Sequence, residues 1–156
     1  MSSESRIKPC LFSAISGTIT LDGKPVANAK VKRLAGKAHS EGQKIDETFT
    51  DDNGKFEMPA VFDRVLLAKV LPMEFAVSQQ IFVYIENKEY EIWNGVKRQR
   101  QENSESSGNP LIVSCELNQA HKMVSVGGGF VSSNCLWDFT PDPPLILDDP
   151  LPDDEL

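Results

Sequence analysis

The groups able to do chemistry in this chain are few: two histidines, three cysteines, one run of glycines, a small basic cluster and an acidic end. His39 stands in a Gly/Ser-containing connection and His121 follows Ala120. Neither lies in a nucleophile or metal motif, so both read as solvated loop residues. Cys10, Cys115 and Cys135 form no Cys-x-x-Cys pair and have no histidine placed beside them, which argues against zinc. Their plain reading is three reduced, buried thiols. The alternative is a Cys115–Cys135 bridge, which would imply an oxidising compartment. Gly127-Gly128-Gly129 lacks the Lys-Ser/Thr and the helix of a phosphate cradle, so it reads as a bend or bulge. Asp51-Asp52-Asn53-Gly54 shares part of a calcium loop, but Lys55 and Phe56 stand where that loop needs an acidic ligand and a glycine. A tight turn accounts for all four residues. No catalytic residue, cofactor or metal ligand is expected.

The acidic end carries more information. All 16 lysines and arginines precede Asp138, as do 16 of the 23 acids. The body is formally neutral, and the net charge of −7 sits on the last nineteen residues. Such a surface excludes nucleic acid as a partner, because phosphate binding needs cations. Five of the ten prolines also lie there, a density that neither helix nor interior strand tolerates. Leu145, Ile146, Leu147 and Leu151 alternate with Asp142, Asp148, Asp149, Asp153, Asp154 and Glu155. A purely solvating tail gains nothing from those apolar residues. On a proline-stiffened chain they suit a docking strand, with leucines filling pockets and carboxylates meeting a basic protein surface. Lys97-Arg98-Gln99-Arg100 reads as part of a solvated loop, with pairing to an anionic partner or to the chain's own tail as alternatives.

The elements that must position these groups are strands. Ile15, Gly17, Ile19 and Leu21 alternate with Ser16, Thr18 and Thr20, the period of a half-buried strand. Asp22-Gly23 supplies a turn, and Lys24 to Leu34 resumes apolar alternation to complete a hairpin. Lys44 to Thr50 and Lys55 to Pro59 read as a second hairpin. Phe75 to Glu86 and Lys88 to Trp93 read as a third, through Asn87. Asp63 to Val70 fits helix and strand equally. Asn94 to Pro110 has no apolar period and reads as an exposed loop. Leu111 to Leu117, Met123 to Val126 and Phe130 to Trp137 are the last expected strands. The expected core is Phe12, Ile15, Ile19, Val31, Phe49, Phe56, Val83, Ile85, Ile92, Val113 and Trp137. The whole describes an all-β chain: one antiparallel β-sandwich of about seven or eight strands over residues 10–137. It follows a flexible leader (1–9) and precedes an extended acidic, Pro-rich tail (138–156).

The stretch Gly17-x-Ile19, Asp22-x-x-Pro25-x-x-x-Ala29-x-Val31 and then Thr50-Asp51-x-x-Gly54-x-Phe56 resembles the carboxypeptidase regulatory-like domain, one of the transthyretin-like, prealbumin-type β-sandwiches. The likeness covers about Gly17 to Pro59. Asn28 departs from it, standing where that family usually has glycine, but asparagine also tolerates a left-handed backbone. The resemblance implies a fold and supplies no catalytic residue. Hydrolases of small cyclic ureides occur on this scaffold; they need His, Arg and Ser in short motifs that are absent here.

Three functions compete. The first is a non-catalytic, monomeric protein-binding module, with an immunity-type inhibitor of a bacterial toxin as its specific form. The second is an exported structural or surface module, pilus-associated for example. An enzyme is third. No apolar run is long enough to span a membrane, and no signal peptide is visible at the N-terminus. The expected location is therefore the cytoplasm, or the periplasm if Cys115 and Cys135 are bridged.

Overall fold

The computed structural model describes residues 8–36, 42–63 and 75–144. His39, residues 64–70 of the segment that fits helix and strand equally, and tail residues 145–156 lie outside them. The described residues are nearly all β. The first strands are β1 (Cys10–Phe12), β2 (Ile15–Leu21), β3 (Lys24–Pro25), β4 (Lys30–Ala35), β5 (Lys44–Phe49), β6 (Lys55–Met58) and β7 (Val61–Phe62). They are followed by β8 (Val77–Ile85), β9 (Lys88–Lys97), β10 (Leu111–Glu116), β11 (Lys122–Val126), β12 (Gly129–Ser133) and β13 (Cys135–Leu136). A 3-10 turn at Ser104–Ser106 interrupts the β9–β10 connection. The count exceeds the seven or eight expected, partly because β3, β7 and β13 are two-residue pieces.

Six strands pair antiparallel in the order β11-β12-β9-β8-β4-β5. A second sheet runs β13-β10-β2, with β6 and β3 sharing the far side of β2, and β1 pairs β7 separately. The buried residues of both sheets form one cluster, so the architecture is sandwich-like. One pairing departs from the antiparallel expectation: β2 and β10 run parallel, from Ile15↔Leu111 to Thr20↔Glu116. Their connection passes through the other sheet, which removes the hairpin constraint that makes neighbours antiparallel.

β2 sits at the centre of its sheet with Ile15 and Ile19 buried and Ser16, Thr18 and Thr20 half-buried. Gly17 is required by close approach: a Cβ there would stand 2.2 Å from the Val113 carbonyl oxygen. Asp22 (φ 56°) and Gly23 (φ 82°) both adopt left-handed backbone, as a two-residue hairpin turn demands, and Asn28 does likewise (φ 58°).

The first two expected hairpins are instead corners between sheets. β3 pairs β2 for two residues before the chain crosses to β4, and β5 pairs β4 while β6 pairs β2. This overturns the placement of Phe49 in the core. Phe49 is 58% exposed, opposite Lys30 on the outward side, because the inward positions of β5 hold Asp46 and Thr48. Asp46 faces inward to meet Arg33, which is fully buried and donates to both Asp46 oxygens (3.0 and 2.7 Å) and to the carbonyls of Ser13 and Pro59. An inward charge on an edge strand also discourages edge-to-edge pairing. Of the other expected core members, Ile85 and Trp137 are half-buried and the rest are buried.

Phe130 to Trp137 is two strands. The chain leaves the six-stranded sheet after Ser133 and joins the five-stranded one at Cys135, where Cys135 lies directly opposite Cys115 and is disulfide-bonded to it. The reading of three reduced thiols is thus corrected for two of them. Cys10 is free and buried, and burial pushes its thiol pKa up.

Candidate functional site

The segment Asn94 to Pro110 is more ordered than its polarity suggests. Asn94 to Lys97 continues β9, and the 3-10 turn buries Glu105 between the two sheets. The Glu105 carboxylate accepts from Ser13 N–H (3.0 Å), Ser13 Oγ (2.5 Å) and Gln79 Nε2 (2.8 Å). Gln79 in turn accepts from Trp93 Nε1 and donates to the Leu11 carbonyl. Every buried side-chain N or O among the described residues is satisfied. Lys97, expected in the exposed basic cluster, is buried. Its ammonium donates to the carbonyls of Gln99 and Gln101, and burial lowers its pKa. Arg100 lies over the Phe75 ring, with its guanidinium carbon 5.2 Å from the centroid.

On this pinned loop the tail begins. Trp137 packs between Trp93 and Phe139, both at 4.8 Å between ring centroids, and its Nε1 donates to the Glu105 carbonyl (2.9 Å). Thr140 N–H donates to Ser107 Oγ (2.8 Å), and the Ser107 hydroxyl donates to the Thr140 carbonyl (3.1 Å). Asp142 N–H then donates to the Ser125 carbonyl of β11 (2.8 Å). The Asp142 carboxylate accepts from the N–H groups of Gly127 (3.1 Å) and Gly128 (2.9 Å). These two glycines have φ of 62° and 78°. Successive N–H groups in such a turn converge on one point and form an anion-binding concavity. The glycine run is therefore both a turn and an anion cradle, and the anion it holds is the chain's own.

Of the ten tail residues expected to meet a partner, Asp142 is thus built into the body. Leu145, Ile146, Leu147, Asp148, Asp149, Leu151, Asp153, Asp154 and Glu155 lie outside the described residues. The anchors Ser107, Ser125, Gly127 and Gly128 gave no sign of this role in sequence, because their partners are backbone groups and a carboxylate distant along the chain.

The remaining candidates have local explanations. Asp51 turns its carboxylate onto the N–H groups of Lys55 and Asn53, which lower its pKa and close the turn. His121 bridges Ser132 Oγ (3.3 Å) and the Glu91 carbonyl (2.7 Å). That resembles a nucleophile–base pair in outline, but it lies on the outer face of the six-stranded sheet and, among the described residues, lines none of the hollows of about 660, 550 and 330 Å³. Among the described residues no cluster of His, Cys, Asp or Glu could hold a metal ion. No helix of the described residues is long and apolar enough to cross a membrane.

A family model described as a domain of unknown function, DUF6795, matches residues 15–120. The chain belongs to the DUF6795 family. The matched stretch spans β2 to β10 and includes Cys115, while Cys135, the glycine cradle and Asp142 lie beyond it. No curated protein and no solved structure matches the chain.

Proposed function

We propose that this DUF6795 protein is a non-catalytic protein-binding domain, and in its specific form an immunity-type inhibitor of a bacterial toxin. Its acidic, leucine-containing C-terminal segment is the docking element, and the partner surface is basic. The observation that carries the reading is the seat of Asp142 in the Gly127–Gly128 cradle. With the Thr140–Ser107 pair, it fixes where the segment after Pro144 starts on the body. A fixed start lowers the ordering cost of the residues that follow. The charge distribution supports the same reading, since the body is neutral and the tail carries the net charge. The sandwich is read as transthyretin-like. Gly17, Asn28 and Gly54 each meet a close contact or a left-handed backbone, and Ala29, Val31 and Phe56 are buried.

The Cys115–Cys135 bridge favours an oxidising location, the periplasm in a bacterium, and is the observation behind the second reading, an exported structural or surface module. A pull-down from the native host separates the two. Full-length chain is set beside a chain ending at Pro144, which keeps the Asp142 anchor. One stoichiometric partner held by the full-length form alone is the expected result. The same partner held equally by both would refute the tail as docking element, and no discrete partner for either would favour the structural module.

A further inference from the structure

The outer face of the five-stranded sheet has a shape that its solvent exposure alone does not explain. Along β2 the outward residues Ser16 and Thr18 are small, while the flanking strands carry Ile112 on β10 and Lys55 and Glu57 on β6. Low side chains between taller ones make a trough. It holds two adjoining hollows of about 660 and 550 Å³, which share Ser16, Glu57 and Ile112. One end is bordered by Pro59 and Pro110 and the other by Phe49. Ile112 is 61% exposed and Phe49 58%, so both offer apolar surface to an occupant of the trough.

We propose that this trough is a docking site for an extended segment of a partner protein in which apolar residues alternate with lysine or arginine. The site uses no residue after Thr140 and so stands apart from the tail. The charge of the lining selects the occupant. Glu57, Glu102 and Asp51 line it against the single lining cation Lys55; Asp51 is turned onto the N–H groups of its own turn, whereas among the described residues Glu57 and Glu102 are in no ion pair. An acidic segment, including the tail of a second copy, would meet like charge there. β2 is hydrogen-bonded on both sides, so a segment lying over the trough cannot pair with β2 and is held there by side chains. Within the described residues the Ser16 and Thr18 hydroxyls have no hydrogen-bond partner, leaving them for the backbone of the segment. Ile112 and Phe49 supply the apolar contacts.

The test selects a random dodecapeptide library displayed on phage against the full-length protein, then measures the synthetic consensus peptide by NMR and fluorescence anisotropy. The expected consensus mixes Leu, Ile, Val or Phe with Lys or Arg. Its amide shift changes should centre on Ser16, Thr18, Glu57 and Ile112. Affinity should fall at least tenfold in Ile112→Lys and in Glu57→Lys, both at exposed positions, with circular dichroism confirming the fold. A chain ending at Pro144 should bind the peptide as tightly as the full chain. No enrichment, an acidic consensus, shift changes elsewhere, or loss of binding on truncation would each overturn the proposal.

Discussion

Replacing Glu105 with alanine should be the most costly single change in the loop that carries the tail root. Among the described residues its carboxylate is the only acceptor for Ser13 N–H, and it takes one proton of Gln79 Nε2 and the Ser13 hydroxyl proton. Gln79 keeps the Leu11 carbonyl, and Ser13 Oγ keeps the Asn103 N–H it accepts. Three donors in a closed site therefore lose an acceptor. Leaving a buried donor unpaired costs about 1–3 kcal/mol each, and such effects are not additive within one network. A loss of about 3–5 kcal/mol follows for Glu105→Ala. In a domain of this size that is roughly 10–15 °C in Tm. Glu105→Gln keeps one acceptor oxygen but turns an NH2 group toward donors, and should cost about half as much. Urea unfolding followed by tryptophan fluorescence measures both, since Trp93 and Trp137 hydrogen-bond into the same network. Losses under about 1 kcal/mol, or equal losses for the two variants, would refute the reasoning.

Three further outcomes follow from the geometry. The Glu116 carboxyl pKa is lowered to about 2 by the N–H groups of Gly23, Asp22 and Asn118. Its contribution to stability is full above the ordinary value of 4.5 and is lost as pH falls from there through about 2. Glu116→Gln should flatten that part of an acid-unfolding curve, and an unchanged curve would contradict the assignment. Gly17→Ala should cost about 1–3 kcal/mol in thermal unfolding, because β2 and β10 must part to admit the methyl group. Opening the disulfide by replacing both Cys115 and Cys135 with serine should cost about 3 kcal/mol in urea unfolding, from a loop with a sequence separation of 20. A stability unchanged from that of the bridged protein would contradict it.

What was legible in the sequence was local. Asp22-Gly23 and Asn28 announce left-handed backbone by residue type, and β2 announces its buried face by alternation. What was hidden depends on partners far along the chain. Ile45 and Phe49 on β5 look like the buried set, yet the strand is turned over because Arg33 on β4 needs Asp46 inside. Glu105 looks like one charge in a polar loop, and only its contact with Ser13, 92 residues away, makes it a core residue. The glycine run reads in sequence as a bend or bulge, because it lacks the residues of a phosphate cradle. The carboxylate that makes it an anion cradle as well belongs to the same tail that composition had singled out. The β-rich class was therefore readable, whereas the crossings between sheets and the seat of the tail root were not.

The most direct test of the docking account is calorimetric titration of the captured partner against full-length protein, a chain ending at Pro144, and Asp142→Ala. The account predicts at least a hundredfold loss of affinity on truncation and a smaller loss in Asp142→Ala, where the segment is intact but its start is unfixed. Equal affinity for all three proteins would contradict it.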